Sequence, residues 1–284
     1  MQQLRKVYTF ITTVFKKEDL LLSDIRPSFA LNFLNYMTKE VSETLAEPTA
    51  MKQIKKIKQI LYYAIDKEWL LQSPIQRFKC KGDDTEVEPL EVPDVIKIYR
   101  KKGLVKRLEE VRDAFIFQCF TGFAYQDIYH LTPEHIVEVG LNRERWLIKK
   151  RGKTKVSEMV PILPIVEELI AKYKEHPKCV VKNRLMPIDS NGRYNGYLKE
   201  IQNICGIVRE DIIFDTHLAR HTFADMMLNS GVPLEDVSKM LGHKSIRTTQ
   251  RYCRVKKHRI SKNMQVVKYS LFTKSGKLRK TLVA

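Results

Sequence analysis

The sequence predicts a mainly α-helical protein, built as a small helical domain followed by a larger α-helical domain with a short antiparallel β-sheet. Three observations predict it. Apolar residues recur at helical spacing along most of the chain, a polar acidic stretch interrupts them after Cys80, and strand-like runs occur only between Trp146 and Ile162. A length of 284 residues admits one large or two modest domains, and the acidic stretch favours two.

From Ser23 to Lys39 the residues Ile25, Phe29, Phe33, Leu34 and Met37 mark one amphipathic helix, with Ser23 or Asp24 as its N-cap. A second spans about Pro48 to Trp69, where Met51, Ile54, Ile57, Leu61 and Ile65 form the apolar stripe. Lys52, Lys55, Lys56 and Gln59 lie away from that stripe, on a face that serves equally to solubilise the helix or to track a phosphate backbone. Ser73-Pro74 ends the helical pattern, and the run KGDDTEVEP places a linker at 82–89 between domains 1–81 and 90–284. Beyond it Val105 to Phe120 reads as a buried helix stopped at Thr121-Gly122, and Tyr125 to Leu131 as a short one. Trp146 to Lys149 and Glu158 to Ile162 are strands joined by a polar, basic hairpin tip; helices resume at Pro164 to Tyr173 and again after Phe214.

The composition is globular, with 43% hydrophobic and 30% charged residues. Five widely spaced cysteines with no CxxC pair argue against a disulfide framework or a thiolate zinc site, and so for a reducing compartment. No run approaches the roughly 20 apolar residues that span a bilayer, so a cytoplasmic protein without membrane association is expected. The net charge of +18 points to a polyanionic partner, nucleic acid first. Eleven Lys and Arg and no acid fall in the 34 residues from Arg251 to Ala284.

His217 and Arg220 are three apart in a helical segment and project from one face, a pairing that suits a phosphate oxyanion. On its own HxxR is weak. Pro233 opens a helix that Gly242 ends, His243 follows, and SIRTTQRY leads to Tyr252; each of these alone reads as capping or packing. Taken together, HLARHTFA from His217 and LGHKSIRTTQRY from Leu241, in this order and spacing, resemble the signature of the tyrosine recombinase (phage integrase) family. CFTGFAYQDIYHLTPEHI from Cys119 resembles the family's TGLR-type turn and helix, and KKRGKTKVSEMVPIL places Lys153 where the family carries its loop lysine.

The resemblance implies that residues 1–81 form a helical core-binding domain of SAM-like fold and that the rest forms the catalytic domain. It implies Tyr252 as the nucleophile of a 3'-phosphotyrosine intermediate, Arg220 and His243 as stabilisers of the phosphoryl oxygens, His217 as a proton carrier and Lys153 as the acid for the leaving 5'-oxygen. Double-stranded DNA is then the substrate, contacted also by Lys52, Lys55, Lys56, Arg151 and Arg247; neither metal nor other cofactor is required. A homotetramer on two DNA sites, a mobile element as the cargo and no arm-binding domain are the further expectations. A topoisomerase of type IB chemistry and a catalytically degenerate DNA-binding protein are the alternatives.

One position departs from the family pattern. The first catalytic arginine belongs after the TGL-type turn, where this chain has Ala124. Arg112, on the helix leading into that turn, is the favoured substitute; Arg151 is the second candidate, ahead of Arg143 and Arg145.

Overall fold

In a computed structural model of the chain, the described residues are 2–41, 45–80, 87–152, 156–207, 214–250, 257–273 and 275–279. They divide into two compact units, Met1–Thr85 and Glu86–Ala284.

The first unit contains α1 (Gln2–Val14), α2 (Phe29–Asn35), a π-helical turn at Tyr36–Glu40 that continues α2, and α3 (Glu47–Asp66). Phe10 is fully buried and meets Phe29 and Phe33 edge-on, with ring centroids 5.3 and 5.0 Å apart, so α1 supplies the centre of this small core. Sequence reading did not assign α1, although Val7, Phe10, Ile11 and Val14 stand at i, i+3, i+4 and i+7. The helix expected from Ser23 begins at Phe29, after a 3-10 turn at Leu22–Asp24. The cause is Pro27, which biases Arg26 away from the helical region. On α3 the residues Met51, Ile54, Ile57 and Leu61 are buried while Lys52, Lys55 and Lys56 are exposed.

The second unit runs through α4 (Val92–Tyr99), α5 (Lys106–Thr121) and α6 (Tyr125–Tyr129) to a three-stranded antiparallel sheet in the order β1 (Ile136–Val139), β2 (Glu144–Lys150), β3 (Ser157–Pro161). Helices α7 (Pro164–Tyr173), α8 (Pro177–Lys182), α9 (Asn191–Ile204), α10 (Thr216–Asn229), α11 (Leu234–Met240), α12 (Ile246–Gln250) and α13 (Lys257–Leu271) follow. Helix α5 is the axis. Phe115, Ile116 and Phe117 are consecutive and fully buried, as a helix surrounded on all sides requires, and α4, α7, α9 and α10 pack around it. Leu147 and Val160 pair across β2 and β3 and turn inward, seating the sheet on this core. Among the described residues no helix is long and apolar enough to cross a membrane.

Gly122 ends α5 with φ +70°, and a Cβ there would fall 2.5 Å from Phe223 Cδ1 on α10. Buried Gln118 locks the turn, donating to Phe123 O at 2.9 Å and accepting from Tyr194 Oη at 2.8 Å. Gly122→Ala therefore combines a left-handed backbone cost of about 1–2 kcal/mol with an overpacking cost of about 1–3 kcal/mol. Urea unfolding is expected to show a loss of about 3 kcal/mol; a loss under about 1 kcal/mol would show that α5 and α10 can part freely here.

Candidate active site

The N-terminus of α10 is set by Asp215, whose side chain accepts from Leu218 N at 2.8 Å. One turn on, Arg220 is 2% exposed and ties three segments together. Its Nη1 donates to Gly122 O at 2.6 Å and to Glu158 Oε1 on β3 at 2.8 Å, and its Nη2 donates to Leu241 O. Turn, sheet and the end of α11 thus converge on one guanidinium, whose rigid fork of five donors suits it to bridge them.

His243 completes the cluster. Its Nε2 lies 3.2 Å from Arg220 Nη2 and its Nδ1 2.8 Å from Thr249 Oγ1 on α12. Arginine can only donate, so Nε2 accepts and Nδ1–H donates to Thr249. Burial first, then Arg220 and Arg151, lower this histidine to about 4, in keeping with the neutral ring. Gly242, just before it, has φ +56° and sits so close to β3 that a Cβ would fall 2.7 Å from Glu158 Cγ. The LGH segment therefore needs glycine for both backbone and space.

This neutral histidine has a consequence for stability. An unfolded histidine titrates near 6.5, so between about pH 6.5 and about 4 the unfolded chain binds a proton at His243 that the folded chain does not. Its contribution is present above about 6.5 and lost as pH falls. Glu158, raised to about 7, has the opposite sign over part of that window, so wild type must be compared with His243→Gln. The gap in unfolding free energy between the two is expected to shrink as pH falls through this range; a constant gap means the ring is not held neutral.

Beside the cluster opens a groove of about 630 Å³ lined by Ala124, Lys149, Lys150, Arg151, Gly152 and His217, among others. Arg151 Nε lies 3.7 Å from Glu158 Oε1 and 3.6 Å from Asp127 Oδ2, and the Gly152 amide donates to Asp127 Oδ1 at 3.2 Å. The structure thus brings together Arg220, His243, His217 and Arg151. It does not bring Arg112 to them. That side chain lies ten residues before Gly122, about 15 Å along α5, where it pairs with Asp113 at 2.6 Å and donates to Lys101 O at 2.6 Å. The physical reason is the helix period: residue 112 points toward the Lys101 loop and α7, away from the turn that α5 leads into. Arg247 is exposed on α12, and Lys52, Lys55 and Lys56 lie in the first unit. Tyr252 and Lys153 lie outside the described residues.

Sequence reasoning passed over Glu158, Asp127 and Thr249, all buried. A signal existed for the first: in Ser157–Pro161 the alternation that turns Val160 inward turns Glu158 inward too.

A helical unit that buries an arginine and a neutral histidine beside a cation-lined groove, with a tyrosine nine residues after that histidine, is built to handle a phosphodiester. Comparisons with known proteins agree. The phage integrase family model matches residues 95–259, and the phage integrase SAM-like domain model matches residues 1–81. Tyrosine recombinase XerC of Rickettsia prowazekii is 24% identical over 251 residues, covering 84% of this chain and 79% of that protein. XerC of Rickettsia canadensis is 27% identical over 175 residues, 58% of this chain and 54% of that protein. XerD of Staphylococcus aureus is 28% identical over 215 residues, 71% of this chain and 67% of its own. Among solved structures, a lambda integrase dimer bound to a core site superposes with a TM-score of 0.69 at 16% identity, covering 90% of this chain and 91% of that one. The XerH recombinase in a post-cleavage complex gives 0.64 at 19% identity, covering 94% and 78%. The chain belongs to the phage integrase family, the tyrosine site-specific recombinases, which cleave and rejoin DNA.

Proposed function

We propose that this recombinase cleaves double-stranded DNA through Tyr252, holding one end as a 3'-phosphotyrosine and leaving a 5'-hydroxyl for religation. The observation that carries the reading is the Arg220 cluster: its histidine is bonded to Thr249 on α12, three positions before Tyr252 in the sequence. Arg220 and Arg151 stabilise charge on the phosphoryl oxygens, His217 in the same groove moves the proton of the attacking hydroxyl, and Lys153 protonates the leaving oxygen. Lys52, Lys55, Lys56 and Arg247 hold the duplex by its backbone. Four protomers on two sites exchange the strands in the cytoplasm. The transposon Tn1549 integrase, bound to transposon end DNA in a structure that superposes with a TM-score of 0.65 at 15% identity, supports a mobile element as the cargo.

Arg151 replaces Arg112 as the stand-in for the cation missing at Ala124. It shares the groove with Ala124 and His217 and faces the carboxylate that Arg220 grips. Arg151→Ala is expected to slow single-turnover cleavage about a hundredfold, the lower end for losing one oxyanion donor. Arg112→Ala, which strips a partner from buried Asp113, is expected to lower the melting temperature and leave the rate per folded enzyme unchanged. The reverse pattern would return the role to Arg112.

The reading is tested with a nicked duplex enriched from a random-sequence pool by the purified protein. A covalent adduct whose nucleotide maps by mass spectrometry to the peptide containing Tyr252 supports it. Tight binding with no adduct makes the chain a DNA-binding protein instead.

A further inference from the structure

The groove holds more negative charge than its sequence motifs announce. Glu158 is 1% exposed, its Oε1 sits between Arg220 and Arg151, and its Oε2 is buried without a hydrogen-bond partner. Arg151 Nε is likewise buried with no acceptor in hydrogen-bond range. Asp127 is the second carboxylate, within 3.6 Å of the same Nε. Two guanidiniums and two carboxylates balance. A phosphodiester entering between the arginines leaves this buried set with a net negative charge, which surroundings of low polarity penalise. Neither arginine can give up a proton, and Asp127 Oδ1 already accepts from the Gly152 amide while Glu158 Oε2 has no partner.

We propose that Glu158 is a positioning residue that clamps Arg220 and Arg151 on one carboxylate oxygen in the DNA-free enzyme and releases them to the scissile phosphate by taking up a proton when DNA binds. The proposal rests on the reading of this groove as the cleavage site. Burial pushes the Glu158 carboxyl up to about 7, Asp127 adds to the rise, and Arg220 and Arg151 oppose it. A proton on it at neutral pH is therefore cheap, and a bound phosphate makes it cheaper. The charged and titratable groups around it are Arg220 from α10, Arg151 from the β2–β3 hairpin, Asp127 from α6 and, through Arg220, His243 from the turn before α12. His243, lowered to about 4, keeps one charge state over the working range.

Glu158→Gln separates the clamp from its charge, since the amide keeps the shape and the oxygen that accepts from Arg220 but cannot ionise. Proton uptake is measured by calorimetry in buffers of different ionisation enthalpy, as the enriched duplex binds near pH 7. Wild type is expected to take up about half a proton more per bound protomer than Glu158→Gln, because a carboxyl titrating at about 7 is already half protonated in the free enzyme at that pH. Cleavage of the nicked duplex at subsaturating enzyme, where the rate follows the free enzyme's titration, adds a second readout: the Glu158→Gln to wild-type rate ratio is expected to rise towards about tenfold per pH unit above neutrality. Equal proton uptake by the two proteins, or a rate ratio constant with pH, overturns the proposal and leaves Glu158 a packing residue. If Glu158→Gln does not fold, wild-type uptake decides alone, and its absence overturns the proposal. Uptake is read on binding, so a protein that takes up the proton yet forms no adduct sinks the cleavage reading and supports the clamp.

Discussion

Tyr252→Phe is expected to abolish the covalent protein-DNA adduct while leaving duplex affinity and melting temperature as in wild type. The substitution removes one oxygen and keeps the ring, so any role in packing or in stacking survives. The loss is confined to chemistry that needs the hydroxyl. Removing the nucleophile of a covalent mechanism costs on the order of a millionfold in rate, which puts the adduct below detection. The frame upstream of this position supports a functional role: Thr249 on α12 is fully buried and bonded to His243, which in turn meets Arg220, so α12 is registered on the cluster through side chains. A purely structural tyrosine would not require that chain of contacts. The trapping is done with both proteins on the same nicked duplex. An adduct of undiminished yield in Tyr252→Phe would assign the attack to a neighbouring hydroxyl or thiol, and the Cys253 thiol would be the first to replace.

The helical class and, in the second unit, α5, α6, α7 and the helices after Phe214 were legible because amphipathic periods and glycine stops are local signals, whereas α4, α8 and α9 were not assigned. The helix at Pro164 to Tyr173 falls where its residues predict, and α5 ends on Gly122 because only glycine meets both the left-handed turn and Phe223. Of the site, the pairing of His217 with Arg220 followed from helical spacing, and the LGH segment from its glycine. What the sequence could not give was which way a side chain faces across units of structure. Arg112 and Arg151 are equivalent in composition, yet α5 turns the first toward Lys101 while the hairpin carries the second to Glu158. Strand β1, whose residues are mostly exposed, carries too weak an alternation to be found. Glu158 was hidden because an inward charge on a short strand becomes meaningful only when its partner arrives from α10, 62 residues later.

Arg220→Ala is expected to cost both cleavage and folding, and the two losses can be measured apart. Taking one preorganised donor from a developing oxyanion costs about 2.7–4 kcal/mol, so cleavage slows about a hundred- to a thousandfold. Arg220 stands at the upper end, because it is 2% exposed and its fork is fixed by Gly122 O, Leu241 O and Glu158 before DNA arrives. The same contacts make it structural. Without the guanidinium, two carbonyls lose a donor and Glu158 loses its closest cation inside the core, a loss of about 3–5 kcal/mol for breaking a buried pair. Arg220→Lys distinguishes the parts: it keeps the positive charge but cannot fill three acceptors and reach a phosphate with one ammonium. The lysine variant is expected to recover much of the folding stability, read by urea unfolding, and little of the cleavage rate, read in single turnover on the nicked duplex. Recovery of both together would mean that charge alone matters at this position, and that the fork geometry, with its bonds to the turn, the sheet and the LGH segment, is incidental to the chemistry.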